Sequence, residues 1–199
     1  MSFADTLEHG GEPHPGLPAL RRAAYALVVV GIIVFVAASV LRSMDRREQR
    51  ASFDKMLTLS AGAQSAVEQA ISQERDTAQV AEPLLNSSLT TQAVRERLYI
   101  AVSASALQAQ HDVDAQLQRI QADPTGRSGR LRAARDATIA YLSSWSTLFA
   151  SAAGSSNAPA DSQADLDAQQ LAARVALENA APDPVRAAKA RVVFGTTTG

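Results

Sequence analysis

The sequence predicts an all-α chain in which one N-terminal transmembrane helix continues into an antiparallel up-down four-helix bundle. Three observations predict this. Ala23 to Leu41 (AAYALVVVGIIVFVAASVL) is an uncharged apolar run bounded by Arg21 and Arg22 on one side and Arg42 on the other. Beyond it, apolar residues recur at spacings of three and four, the period of one helix face. Gly and Pro fall mostly in the terminal segments and in a few internal breaks, which cut the rest into helix-length pieces. The expected boundaries are 1–20, a flexible tail; 21–42, the membrane helix; 43–181, the helical domain; and 182–199, a tail with room for a short helix.

Met1 to Leu20 holds Gly10, Gly11, Pro13, Pro15, Gly16 and Pro18, too many breakers for a stable helix. Glu8, His9, Glu12 and His14 are metal-ligand types, but a mobile tail offers no second shell to orient them, so no metal is expected.

At about 1.5 Å per residue, a helix the length of the apolar run spans roughly 30 Å, the hydrocarbon thickness of a bilayer. A lone segment in hydrocarbon must satisfy its own backbone hydrogen bonds, so it is helical despite the β-branched residues Val28 to Val30 and Ile32 to Val34. A secretory signal is the competing reading, with Val36-Ala37-Ala38 as the cleavage site. Its apolar region is usually only about 7–15 residues long, and this run is longer. Gly31, Ala37 and Ala38 are small enough to admit a second transmembrane helix at close range.

Four helices follow. Phe53, Met56, Leu57, Ala63, Val67, Ala70, Ile71 and Ala78 form the inner stripe of the first, which Pro83 ends; Gln64, Glu68 and Arg75 fall on its polar face. The second carries Val94, Leu98, Ala101, Val102, Ser105, Ala109, Val113, Leu117 and Ile120, and stops at the turn Asp123-Pro124-Thr125-Gly126. The third carries Leu131, Ala134, Thr138, Tyr141, Leu142, Trp145, Leu148, Phe149 and Ala152, with Gly154 as its stop and Trp145 read as core packing. After a loop to Asp161, Ser162-Gln163-Ala164-Asp165 resembles a capping box, with Asp in the usual place of Glu or Gln. The fourth helix then places Leu166, Ala173 and Leu177 on one line, and Pro182-Asp183-Pro184 closes it. Val185 to Phe194 has the makings of a helical turn, and Gly195 to Gly199 is too small and polar to order without a partner.

Composition excludes several functions. The net charge of −1 with mixed signs gives no footprint for nucleic acid. The absence of cysteine removes disulfides, thiol nucleophiles and cysteine-ligated zinc. No phosphate-binding loop, dinucleotide fingerprint, HExxH, GxSxG or EF-hand pattern occurs. His111 lies mid-helix between Gln110 and Asp112, a poor setting for a catalytic base. No enzyme activity and no cofactor are expected. Arginine far outnumbers lysine and alanine is abundant, a bias associated with GC-rich bacterial genomes.

Ala70 to Asp76 (AISQERD), followed by a long helix rich in Gln and Asp, resembles the first-helix segment of extracytoplasmic nitrate/nitrite-sensing four-helix domains. In that family an arginine here belongs to the anion-binding region. The resemblance therefore implies Arg75, with Glu74 beside it, as the ligand-binding pair and a small anion as ligand. A guanidinium suits this by offering two parallel hydrogen bonds to a planar anion. The second-helix Arg followed by Thr-Asp is not matched around Ala104 to Asp112, and the pattern covers only the first two soluble helices.

The positive charges Arg42, Arg46, Arg47, Arg50 and Lys55 outnumber Arg21 and Arg22, which nominally places the C-terminal side in the cytoplasm. That rule weakens before a long domain, and the sensor-like resemblance reverses it. The expectation is a bacterial cell membrane, with the N-terminus cytoplasmic and the bundle extracytoplasmic. The functional expectation is a non-enzymatic single-pass accessory or scaffold subunit of a larger cell-envelope complex, of the transport kind among others. It docks through its membrane helix and bundle, with the lipid bilayer and other membrane subunits as partners. The alternative is an extracytoplasmic small-anion sensing domain without its own output module.

Overall fold

The computed structural model describes residues 16–123, 128–154 and 162–195, with side chains from Val30 onward. The chain is all-helical, and no strand occurs among the described residues: α1 (Gly16–Leu85), α2 (Gln92–Ala122), α3 (Gly129–Ala152), α4 (Gln163–Ala180) and α5 (Pro184–Val193). It divides into two units, Met1–Arg46 and Arg47–Gly199.

In the first unit α1 begins at Gly16, inside the stretch expected to be a tail; Met1 to Pro15, with Glu8, His9, Glu12 and His14, lie outside the described residues. From Val30 to Arg46 every side chain is exposed except that of Ala38, which is half-buried, and Phe35 reaches 73% exposure. The hydroxyls turn inward on their own backbone: Ser39 Oγ donates to Phe35 O and Ser43 Oγ to Val40 O, both at 2.7 Å. Among the described residues no helix is long and apolar enough to cross a membrane; the side chains of Ala23 to Val29, the first part of the apolar run, lie outside those described.

The second unit holds the core. Pro83 sits inside the last turn of α1, which runs two residues past it to Leu85 rather than stopping before it. Asn86 N–H still reaches Glu82 O at 3.0 Å and closes the turn. Along α1 the buried positions are Phe53, Met56, Ser60, Ala63, Gln64, Val67, Ala70 and Ala81. The expected stripe is thus correct at five places, while Ala78 is exposed and two polar residues are enclosed. Ser60 Oγ lies 3.5 Å from Thr138 Oγ1, and Gln64 Oε1 accepts from the Tyr141 hydroxyl at 2.9 Å. Enclosing these groups is tolerable because each meets a polar partner.

These pairs also fix the register. Lys55 meets Asp123 and Thr77 meets Ser105, so α2 runs antiparallel to this part of α1; Ser60 with Thr138 and Gln64 with Tyr141 show that α3 runs the same way as α1. α3 in turn packs on α2 and α4, and α4 on α5. Arg135 of α3 donates from Nε to Ile120 O at 3.2 Å and from a terminal nitrogen to Gln121 O at 2.7 Å. A cation there satisfies carbonyls that the end of α2 leaves open. The residues 124–127 of the expected turn lie outside the described residues.

On α2 only Ala106, Ala109, Val113 and Ile120 are buried; of the expected stripe Val94 and Ala101 are exposed, and Leu98, Val102, Ser105 and Leu117 half-buried. α3 buries Leu131, Ala134, Thr138, Tyr141, Leu142 and Phe149 as its repeat predicts. It stops where expected: Gly154 has φ of +71°, the left-handed conformation that glycine adopts without a Cβ penalty. Residues 155–161 of the following loop lie outside the described residues. The capping box of α4 is complete, with Ser162 Oγ accepting from Asp165 N–H at 3.2 Å and Asp165 Oδ2 accepting from Ser162 N–H at 3.1 Å. The hydroxyl and backbone donors of Ser162 hold the Asp165 carboxyl below its ordinary range.

At 182–199, where the sequence leaves room for a short helix, one forms and packs into the core. α5 is a ten-residue helix capped by Asp183, which accepts from Arg186 N–H at 3.0 Å. Its Ala190 and the adjoining Phe194 belong to the core, Phe194 meeting the Tyr141 ring edge-on at 5.5 Å. Arg186 ties α5 to α1 by a two-pronged contact with Asp54, at 2.7 and 2.6 Å, and also holds Asp183 at 2.8 Å. Residues 196–199 lie outside the described residues.

Candidate functional site

Three helices line an open cavity of about 250 Å³ with both polar and apolar walls. α1 contributes Gln64, Ile71 and Arg75, spaced seven and four apart and so on one stripe. α3 contributes Tyr141 and Trp145, four apart, and α4 contributes Gln163, Leu166, Asp167 and Gln170 from its first two turns.

The deepest wall is already organised. Tyr141 is 2% exposed and its hydroxyl donates to Gln64 Oε1, while Gln64 Nε2 donates to Glu68 Oε1 at 2.8 Å. Burial pushes the Tyr141 hydroxyl well above the ordinary tyrosine pKa, the nearby Trp145 N–H pulling the other way and the Glu68 charge adding to the rise. Tyr141 is therefore a fixed, neutral donor. Trp145 stacks at a tilt on Phe149, 5.6 Å between centroids, yet its indole N–H is buried with no hydrogen-bond partner of normal geometry.

The mouth carries both signs of charge. Arg75 is exposed and, among the described residues, has neither an ion-pair nor a hydrogen-bond partner. Asp167 stands on the α4 side, held by Gln163 Nε2 at 2.9 Å, and Gln170 Nε2 is 3.4 Å from Gly195 O.

Compared with known protein families, curated proteins and solved structures, the chain matches none.

Of the pair Glu74 and Arg75, the cavity includes Arg75 alone. Glu74 is half-buried on an adjoining face, about 100° around the helix at 3.6 residues per turn, and its Oε1 is enclosed without a partner. Trp145, read from the sequence as core, does pack on the core and also forms a cavity wall. Gln64, Tyr141, Asp167 and Gln170 are additions. The signal for Gln64 was present, since stepping back from Arg75 by four and then seven residues reaches it. For α4 the stripe Gln163, Asp167, Gln170 is visible only once its facing helices are known. Gly31 and Ala37 are exposed and Ala38 half-buried, and a Cβ added at Gly31 meets nothing within 4 Å. Among the described residues no cluster of three or more metal-ligating side chains forms.

Proposed function

We propose that this chain is a non-enzymatic, single-pass membrane accessory subunit of a bacterial cell-envelope complex. In this reading the apolar part of α1 spans the bilayer, and the second unit is an up-down helical bundle on the extracytoplasmic side. One observation carries the reading: from Val30 to Met44 large apolar side chains are exposed around the whole circumference of α1, Phe35, Val34 and Leu41 among them. Such a surface is unfavourable in water and natural in hydrocarbon. The inward-turned hydroxyls of Ser39 and Ser43 suit the same solvent, which offers them no partner.

The test is purification of the full chain from membranes in mild detergent, comparing wild type with Gly31→Leu. Because a Cβ at that position meets no other part of the described chain within 4 Å, a loss of co-purifying subunits in Gly31→Leu reports a helix contact in lipid. Recovery of the chain in the soluble fraction refutes the reading.

The placement of Arg75 on a cavity wall favours a second reading, extracytoplasmic binding of a small anion as the sensing-domain resemblance implies. Saturable binding of nitrate by the full chain, abolished by Arg75→Ala, is its expected outcome; no binding at millimolar nitrate removes it.

A further inference from the structure

The charges around the cavity do not suit a simple anion. Arg75 supplies one positive charge, but Asp167 lies on the facing helix, and Glu68, hydrogen-bonded to the cavity's Gln64, is close enough to act on Tyr141. An anion drawn to Arg75 shares the cavity with the Asp167 carboxylate, with Glu68 behind Gln64, and a bare cation meets the guanidinium. A ligand bearing both charges satisfies both sides. We infer that the cavity binds a small zwitterionic α-amino acid, its carboxylate on Arg75 and its ammonium on Asp167.

Three further features fit that class. The indole N–H of Trp145, beside the Tyr141 hydroxyl, is a buried donor that makes no hydrogen bond of normal geometry and is left to serve a carboxylate oxygen. Ile71, Leu166 and the Trp145 ring give the side chain an apolar surface. The volume, about 250 Å³, is below the roughly 300–1,000 Å³ typical of pockets for drug-sized ligands, which favours a molecule of amino-acid size over a nucleotide or cofactor. Pre-set hydrogen bonds from Tyr141 to Gln64 and from Gln163 to Asp167 mean that little has to be ordered on binding. The inference rests on the cavity reading and replaces its ligand.

The test uses the full chain in detergent micelles and two readouts, titration calorimetry and the fluorescence of Trp145, the chain's single tryptophan, which lies in the cavity wall. The probes are L-alanine, L-leucine, the 2-hydroxy acid corresponding to leucine, 3-methylbutylamine and sodium nitrate. The expected result is saturable binding of at least one amino acid, with the hydroxy acid and the amine weaker by roughly tenfold or more because each lacks one charge. Arg75→Gln and Asp167→Asn should each weaken amino-acid binding by a similar factor; both residues are exposed, and unchanged helical circular dichroism verifies the fold. Equal binding of the hydroxy acid and the amino acid overturns the inference and leaves the anion reading standing, as does binding of nitrate alone. Silence with all five probes overturns both.

Discussion

Tyr141→Phe removes one oxygen atom and almost nothing else. The ring keeps its buried seat and its edge contact with Phe194 at 5.5 Å, but Gln64 Oε1, on a residue only 4% exposed, loses its donor. Leaving such an acceptor unsatisfied costs about 1–3 kcal/mol. For a chain of this size that corresponds to a fall in Tm of about 2–12 °C. Gln64→Leu strands the Tyr141 hydroxyl in the same way, whereas the double variant removes both partners and should lose much less than the sum. The cycle should therefore return a coupling of about 1–3 kcal/mol. Urea unfolding of the full chain in micelles, followed by helical circular dichroism, measures it, provided the denaturant slope stays constant across the four proteins. A Tyr141→Phe variant within about 0.3 kcal/mol of wild type, or additivity of the two changes, refutes the reasoning.

Leu142→Ala, at a side chain with no exposure in the α3 stripe, should cost about 2–5 kcal/mol by the same assay. Gly154→Ala forces a Cβ into φ of +71° and should cost about 1–2 kcal/mol although open space surrounds the site; an unchanged midpoint would mean that the turn relaxes. The Arg186 guanidinium holds the Asp54 carboxyl below its ordinary pKa, and the Arg186 backbone N–H does the same for Asp183. For carboxyls lowered in the folded state the stabilisation is complete above the unfolded value of about 3.8 and is lost as pH falls through the lower folded values. Arg186→Ala should therefore lower the Tm at neutral pH, and the gap from wild type should close in acid; a gap that is constant with pH would place the effect elsewhere.

Periodicity made the helical class legible and located six buried residues of α3, because one strong stripe per helix is what burial on one side requires, though it missed Ser144 and Ala150 and placed the exposed Ala152 inside. It failed where burial depended on another helix. Gln64 reads as solvent-facing until the Tyr141 hydroxyl is placed against it, and Val94 reads as core although Val94, Tyr99 and Ile100 are exposed on α2. α5 was legible only as room for a short helix, without its place in the core. Ten residues between a proline-rich break and a glycine carry too little intrinsic helix preference to stand alone, and the segment is held by Asp183 as its cap, Asp54 across from Arg186, and Phe194 on Tyr141. Arg75 was visible in the sequence as a position, but the Asp167 carboxylate of α4 joins it on the same cavity only in the fold.

Among the described residues, nine of the twenty-one buried apolar side chains are alanines, Ala63, Ala106, Ala109, Ala134, Ala173 and Ala190 among them with no exposure at all. A core of this kind has an asymmetric tolerance to change. A methyl group has little volume to lose, so shrinking such a position removes little contact, whereas any enlargement must push two helix backbones apart. Variants of this protein should accumulate at those sites toward glycine and serine and be purged toward valine, leucine and phenylalanine, the reverse of the drift that a leucine-filled core permits.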